Sequence, residues 1–145
     1  MNKSPKLICK NVWKLYGNKP KEFLQQHNNN PDQKTIKENG YIQAIRNASL
    51  EVFENEILVI MGLSGSGKST LVRCMSRLVD PTIGEIFFEN IDMGKLSKNE
   101  LIEIRRHKMG MVFQHFALFP HRTVIENIAF PLEVQGINKK EREQS

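Results

Sequence analysis

The chain has 145 residues, of which 39% are apolar and 26% are charged, and this composition is typical of a folded globular domain rather than a disordered segment. The net charge of +5 is uneven, because residues 1–46 carry nine Lys and Arg against three Asp and Glu, whereas residues 47–145 carry twelve against thirteen. No Lys/Arg block is interleaved with aromatic residues, so we interpret the basic excess as a solvated surface and expect no nucleic-acid partner.

The first half of the chain predicts strands separated by one polar segment. Residues 7–16 predict a first strand, and residues 41–45 with 48–52 predict a second strand with alternating character. Residues 17–40 are rich in Asn, Gln, Gly and Pro, which predicts an inserted segment that is mobile or partly helical. The apolar, β-branched run 56–61 predicts a buried parallel strand.

Residues 62–70 read Gly-Leu-Ser-Gly-Ser-Gly-Lys-Ser-Thr and match the phosphate-loop pattern G-x-x-x-x-G-K-[ST] at every fixed position. The glycines allow a turning backbone whose N–H groups can surround an anion, and the following helix adds its positive dipole end. Lys68 can reach the β- and γ-phosphates, the hydroxyl of Ser69 can coordinate Mg²⁺, and Thr70 is expected to support the first helical turn. The alternative is a glycine-rich turn without a ligand. The phosphate-binding residues predicted here are Gly62, Ser64, Gly65, Ser66, Gly67, Lys68, Ser69 and Thr70.

The second half of the chain predicts alternating helices and strands. Apolar residues at 71, 72, 75 and 78 predict a helix after the loop, and residues 85–90 predict a short strand. Ser97 is a candidate cap for a helix through Arg106, and residues 109–114 predict the next strand. Residues 123–130 predict a helix with Thr123 as cap, Glu126 at its third position and Pro131 closing it.

Cys9 and Cys74 lie far apart and lack metal-ligand spacing, which favours a reducing compartment such as the cytoplasm. Residues 1–6 lack the apolar core of a signal peptide, and no run approaches the length that spans a bilayer. Any membrane role is therefore expected to act through a partner.

Three features together resemble a known family: Tyr16 upstream, the phosphate loop, and Gln114 with the segment that follows it. The chain resembles the ATP-binding subunit of ABC transporters, and within them the glycine betaine/proline betaine importers. The narrower resemblance rests on the long insertion between VWKLYG and IRNASLEV and on the stretches VIMGLSGSGKSTLVRCMSRLVDPTIGEI and MVFQHFALFPHRTVIENIAFPLEVQGI. It covers nearly the whole chain.

The resemblance implies an α/β fold, namely a P-loop NTPase (RecA-like) core with an antiparallel β subdomain, truncated before the helical subdomain and the later core strands. Residues 1–145 would be the N-terminal part of a nucleotide-binding domain, with 17–40 as an insertion. The implied function is ATP binding, through Walker A and the Q-loop, for uptake of betaine or proline-type osmolytes. The implied ligands are ATP and Mg²⁺, and the implied partners are a transmembrane permease and a second ATP-binding subunit in a head-to-tail dimer. The implied location is peripheral, at the cytoplasmic face of the inner (plasma) membrane.

The resemblance also implies roles for residues outside the loop. Tyr16 would stack on the adenine ring, although Trp13 is a rival and a core-packed strand end is the alternative. Gln114 would meet Mg²⁺ and the attacking water, with a merely polar strand end as its alternative. Residues 116–120 would receive a coupling helix of the membrane subunit, unless the domain's own helices bury them.

The sequence departs from the family pattern after Gln114. It contains no L-S-G-G-Q motif, no apolar strand ending in Asp-Glu and no later switch histidine, and His115 and His121 lie too close to Gln114 to replace it. The resemblance therefore predicts poor hydrolysis by this polypeptide alone, an exposed sheet edge and marginal stability. Alternative hypotheses are a nucleotide-binding remnant without a transport role and a different small P-loop NTPase. A kinase or GTPase would need a lid or an N-K-x-D motif, and neither is visible. A nucleic-acid-binding module is the weakest alternative.

Overall fold

The computed structural model describes residues 4–113 and 118–142, and the chain divides into two compact units, residues 1–96 and 97–145. Within the described residues, the first unit contains four strands and three helices, and the second unit contains four short helices. Among the described residues, none of the helices combines the length and the apolar character needed to cross a bilayer.

The first unit is built on an antiparallel sheet in the order β2-β1-β3-β4. Its strands are β1 (Pro5–Tyr16), β2 (Ile42–Phe53), β3 (Ile83–Phe88) and β4 (Ile91–Asp92). β1 lies at the centre, where Leu7 faces Val52 on one side and Phe88 on the other. The predictions of strands at 7–16, 41–52 and 85–90 are confirmed.

The polar segment 17–40 is folded onto the sheet through two short helices, α1 (Pro20–Gln26) and α2 (Gln33–Glu38). Phe23, Leu24 and Ile36 are its apolar positions, and all three are buried against Trp13 and Leu15 of β1. Each such side chain stabilises the fold by about 2 kcal/mol. The segment is thus partly helical, as predicted, and it supplies one side of the core.

Cys9 and Cys74 are both buried and are free thiols. Burial raises the pKa of Cys9 to about 11, and burial also raises the pKa of Cys74. Since the thiolate is the reactive form, both residues serve as small apolar side chains.

The prediction of a buried strand over residues 56–61 is wrong. Residues 56–63 have no regular secondary structure, and the side chains of Ile57 and Met61 are 89% and 86% exposed. A strand forms only where neighbouring strands satisfy its backbone groups, and no described strand pairs with this run. The helix predicted after the loop is α3 (Lys68–Met75), which ends earlier than the apolar spacing suggested.

The second unit contains α4 (Lys98–His107), α5 (Val124–Ile128), α6 (Phe130–Val134) and α7 (Lys139–Arg142). The predicted caps Ser97 and Thr123 are confirmed. The prediction of a strand over 109–114 is wrong for residues 109–113, where Val112 is fully exposed and the backbone is irregular; Gln114 lies outside the described residues. Pro131 does not end a helix but stands in the first turn of α6, where its missing N–H costs nothing.

Candidate nucleotide-binding site

The phosphate loop turns through glycines whose backbone other residues rarely adopt. Gly65 and Gly67 have φ of +78° and +92°. A Cβ at Gly67 would also overlap the carbonyl oxygen of Ala44 in β2, whereas a Cβ at Gly65 would meet open space. A glycine is therefore required at position 67 for two reasons, the positive φ and the close approach of the loop to β2.

Helix α3 starts without a side-chain cap. Gly67 is its N-cap residue, and no side chain accepts a hydrogen bond from the first turn. The first N–H groups of a helix have no partner within the helix, and they carry the positive end of its dipole. The end of the glycine loop is consequently a place where an anion can be bound by backbone donors.

The half-buried side chain of Lys68 folds back over the loop. Its Nζ donates to the carbonyl oxygens of Gly62 (2.8 Å) and Leu63 (2.6 Å) and approaches the Oγ of Ser66 at 3.4 Å. The ammonium group thus lies next to the uncapped start of α3. Phosphate oxygens can replace these carbonyl acceptors with a stronger, charge-assisted hydrogen bond.

The other predicted loop residues surround this centre. Ser64 lies in the exposed turn of the loop, and Thr70 is half-buried in the first turn of α3, as expected for a supporting residue. Ser69 is exposed on the same turn, so its hydroxyl oxygen is open to a ligand. One hydroxyl beside a phosphate site fits Mg²⁺, which keeps several waters and takes few protein ligands. Within residues 4–113 and 118–142, no three His, Cys, Asp or Glu side chains cluster in a way that could hold a metal.

A cleft of about 550 Å³ lies between the loop and the edge of β2. Tyr16 pairs with Ile42 at the end of β2 that carries Ala44, so two residues of strand, about 7 Å, separate the tyrosine pairing from the contact with Gly67. Tyr16 is 43% exposed, and the Nζ of Lys14 lies 4.9 Å from its ring centroid. The β1–β2 pairing therefore brings the predicted stacking residue and the phosphate loop to one corner of the sheet.

Trp13, the rival for stacking, is only 2% exposed and packs in the core. Its ring faces the guanidinium of Arg46 at 5.9 Å. A side chain buried in this way has no face open to a base, so the structure excludes Trp13 and leaves Tyr16 as the candidate.

The predictions for residues 114–120 are tested only in part. Gln114, His115, Phe116 and Ala117 lie outside the described residues. Leu118 is exposed, whereas the ring of Phe119 packs 4.7 Å from that of Phe130. In the described part of the apolar loop, residues 118–120, Leu118 and Pro120 are therefore exposed and Phe119 is packed.

Sequence reasoning missed two glutamines that line the cleft, Gln33 of α2 and Gln43 of β2. The Oε1 of Gln43 is buried and accepts no hydrogen bond from any residue that the structure describes. No local motif marks either residue, because the fold of segment 17–40 and the β1–β2 register decide where they lie.

With this geometry in view, comparison with known proteins identifies the family. The family model described as ABC transporter matches residues 45–145. The chain belongs to the ABC transporter family. The dimeric structure of the ATP-binding cassette MJ0796 bound to ADP and Pi is similar to it with a TM-score of 0.74 and 35% identity, over 95% of this chain and 53% of that one. The fold is accordingly that of an ABC-type P-loop NTPase.

Curated relatives cover nearly all of this chain. The trimethylamine N-oxide transport system ATP-binding protein TmoW of Pelagibacter ubique is 54% identical over 94% of this chain. The glycine betaine transport ATP-binding protein OpuAA of Bacillus subtilis and the glycine betaine/proline betaine transport system ATP-binding protein ProV of Escherichia coli are 47% and 45% identical over 96% of it. The chain spans 40%, 34% and 35% of the length of these three relatives.

Proposed function

We propose that this chain is the ATP-binding part of an ABC importer ATPase that drives uptake of small methylated osmolytes of the betaine or trimethylamine N-oxide type. The observation that carries the proposal is the uncapped N-terminus of α3 with the ammonium group of Lys68 beside it in the loop. The choice of solutes is supported by the names of the relatives, which assign them to transport of trimethylamine N-oxide and of glycine betaine.

In this proposal the triphosphate of ATP is the ligand of the loop. The backbone N–H groups before and within the first turn of α3 donate to phosphate oxygens, and Lys68 exchanges its bonds to Gly62 and Leu63 for bonds to the β- and γ-phosphates. Tyr16 stacks on the adenine ring, since an exposed π face at this corner of the sheet is suited to a base.

Ser69 and Gln114 are the proposed oxygen ligands of Mg²⁺, and Gln114 is also proposed to orient the attacking water. The bound ion neutralises phosphate charge and fixes the geometry of the chain of phosphates. A serine hydroxyl and a carboxamide oxygen are hard ligands suited to this ion.

The proposed partners are a transmembrane permease and a second ATP-binding subunit. The dimeric state of the similar MJ0796 cassettes supports the second partner, and the transport functions named for the relatives support the first. In the cell the chain would then lie at the cytoplasmic face of the inner membrane as a peripheral subunit, with the exposed Leu118 in the segment that meets the permease.

The first experiment is calorimetric titration of the 145-residue polypeptide with ATP in the presence of Mg²⁺. We expect Lys68→Ala to weaken binding about 100-fold, because charge-assisted hydrogen bonds to phosphate are lost. The matched control is Lys140→Ala, which removes the charge of an exposed lysine in α7 and should leave the affinity unchanged.

Equal binding by wild type and Lys68→Ala, or no binding by a folded wild type, would overturn the proposal. A second variant, Ser69→Ala, should bind ATP normally in EDTA and lose the gain in affinity that Mg²⁺ gives the wild type. For the solute, uptake of labelled glycine betaine and trimethylamine N-oxide should fall in cells that carry Lys68→Ala, while uptake of an unrelated sugar should not.

A further inference from the structure

Among the residues that the structure describes, the cleft beside the phosphate loop is lined by two cationic side chains and by no carboxylate. The two cations are Lys68 of the loop and Arg46 of β2, and the other lining residues are apolar or neutral. A cleft lined by one sign of charge concentrates ions of the opposite sign. The charges of this cleft therefore favour an anion long enough to contact both side chains.

The guanidinium group of Arg46 has no acidic partner in the described ranges, which sets it apart from other arginines of the chain. Arg77 forms an ion pair with Asp80 at 3.1 Å. Arg106 forms one with Glu103 at 2.6 Å. The charge of Arg46 is thus not compensated by a neighbouring carboxylate and is suited to an anionic ligand.

The contacts that Arg46 does make are weak. It donates to the carbonyl oxygen of Pro31 at 3.5 Å, which is longer than an ordinary N–H···O hydrogen bond. Its guanidinium lies 5.9 Å from the ring centroid of Trp13, at the outer limit of a cation–π contact. Because the residue is also exposed, its guanidinium can leave these contacts for a stronger acceptor.

Arg46 and the phosphate loop meet the same stretch of β2. Arg46 lies two residues after Ala44, whose carbonyl oxygen stands against Gly67 of the loop. Two residues of a strand span about 7 Å. The Arg46 side chain therefore begins close to the loop, and one polyphosphate can contact both Lys68 and Arg46 within the cleft.

We propose that Arg46 is a second phosphate-binding residue of this cleft and contacts oxygens of the polyphosphate that Lys68 does not hold. The inference rests on the proposed function, since it assumes that the loop binds a nucleoside triphosphate. A planar guanidinium can donate two parallel hydrogen bonds to one phosphate group. These charge-assisted bonds replace the long bond to Pro31, so little is lost in the exchange.

Calorimetric titration of the full 145-residue chain with ATP and Mg²⁺ tests the inference by comparing the wild type with Arg46→Gln. We expect the variant to bind ATP about tenfold more weakly, which corresponds to one charge-assisted hydrogen bond. Arg46→Lys keeps the charge and should lose less. The matched control is Arg73→Gln, which removes the charge of an exposed arginine of α3 outside the cleft lining and should bind ATP like the wild type.

Inorganic tripolyphosphate is the second probe, because it offers a chain of three phosphates without a base or a sugar. It should compete with ATP for the wild type, and Arg46→Gln should weaken its binding by the same factor as that of ATP. The melting temperature of the unliganded protein should not change in Arg46→Gln, since the replaced contacts are long. A purely structural arginine would instead lower the melting temperature and leave binding of tripolyphosphate unchanged.

Unchanged ATP affinity in a folded Arg46→Gln variant would overturn the inference, as would a loss confined to ATP and absent for tripolyphosphate. If Arg46→Gln does not fold, Arg46→Lys takes its place and must lose affinity for both probes by equal factors. These outcomes leave the proposed function standing as long as Lys68→Ala still weakens ATP binding. If a folded wild type binds neither ATP nor tripolyphosphate, the proposed function itself has failed.

Discussion

The N-terminus of α3 contrasts with those of α4 and α5. Helices α4 and α5 both begin with a complete capping box, in which Ser97 and Glu100, or Thr123 and Glu126, satisfy each other's backbone N–H groups. Helix α3 begins at Gly67 with no side-chain cap at all. The N-termini of α4 and α5 thus have side-chain acceptors for their backbone N–H groups, whereas the N-terminus of α3 has none.

The capped helices α4 and α5 gain stability from their N-termini, whereas the N-terminus of α3 is suited to binding. A capping side chain contributes about 1 kcal/mol to the helix it closes, and α3 forgoes this contribution. What α3 retains instead is a set of backbone N–H groups without a side-chain cap, near the ammonium group of Lys68, and these are the donors of the proposed anion site. Its close contact with β2 through Gly67 holds that site in place without a cap.

The largest effect should come from breaking the contact that supports the uncapped start. Gly67→Ala introduces a methyl group that overlaps the carbonyl oxygen of Ala44, so the loop must move away from the sheet. We expect a loss of about 3 kcal/mol in the free energy of unfolding and a loss of ATP binding, because strain at positive φ adds to the clash. Urea denaturation followed by circular dichroism measures the first quantity, and calorimetry the second.

Gly65→Ala is the matched control for that substitution. It has the same left-handed backbone, but its methyl group would meet no atom within 4 Å. It should cost only about 1 kcal/mol, the strain of a non-glycine residue at positive φ. Equal losses at both positions would contradict the view that contact with β2, rather than backbone strain, makes Gly67 necessary.

A smaller effect on stability should come from removing the capping side chains of α4 and α5. Ser97→Ala and Thr123→Ala should each lower the free energy of unfolding of the second unit by about 1 kcal/mol, because one backbone donor loses its acceptor. Ser64→Ala, in the loop before the uncapped α3, should change stability by less than about 0.5 kcal/mol. A comparable loss in all three variants would remove the difference between the two kinds of helix start.

The smallest effect should be the part of the pH dependence that the capping boxes contribute. Hydrogen bonds from the side chain and backbone of Ser97 lower the pKa of Glu100, and those from the backbone and side chain of Thr123 lower the pKa of Glu126. Since the folded pKa lies below the unfolded value of about 4.3, these carboxylates stabilise the fold above that pH. Their contribution is lost as the pH falls through the folded pKa.

Thermal unfolding of the second unit between pH 7 and pH 3 measures this dependence. The double variant Glu100→Gln, Glu126→Gln should lose less stability over that interval than the wild type does. Parallel pH profiles of the two proteins would show that these boxes do not carry the effect.

The same local signals explain which elements the sequence could predict. The capping boxes follow from Ser-x-x-Glu and Thr-x-x-Glu, because each is complete within four residues. Residues 56–61 carry an equally clear apolar pattern, yet strand formation depends on hydrogen bonds to other strands, and these are not encoded locally. The prediction that Pro131 ends a helix is wrong because proline is also compatible with the first turn of a new helix, which is where it lies.

The candidate site shows the same limit. The phosphate loop follows from a nine-residue pattern, so Lys68 and Ser69 could be named from the sequence. The choice of Tyr16 over Trp13 needed the alternation of β1, which buries one ring and leaves the other accessible. Gln43 and Gln33 could not be anticipated, because their place in the cleft depends on the pairing of β1 with β2.

The core beneath segment 17–40 also bears on the order in which the chain acquires structure. Its five buried members all lie between Trp13 and Ile36, so closing this cluster requires only short loops. The pairing of Leu7 with Phe88, by contrast, joins residues at opposite ends of the first unit. During synthesis from the N-terminus, segment 17–40 can therefore cover β1 before the ribosome has reached β3, and the end of β1 at Tyr16 is shaped early by residues of its own neighbourhood.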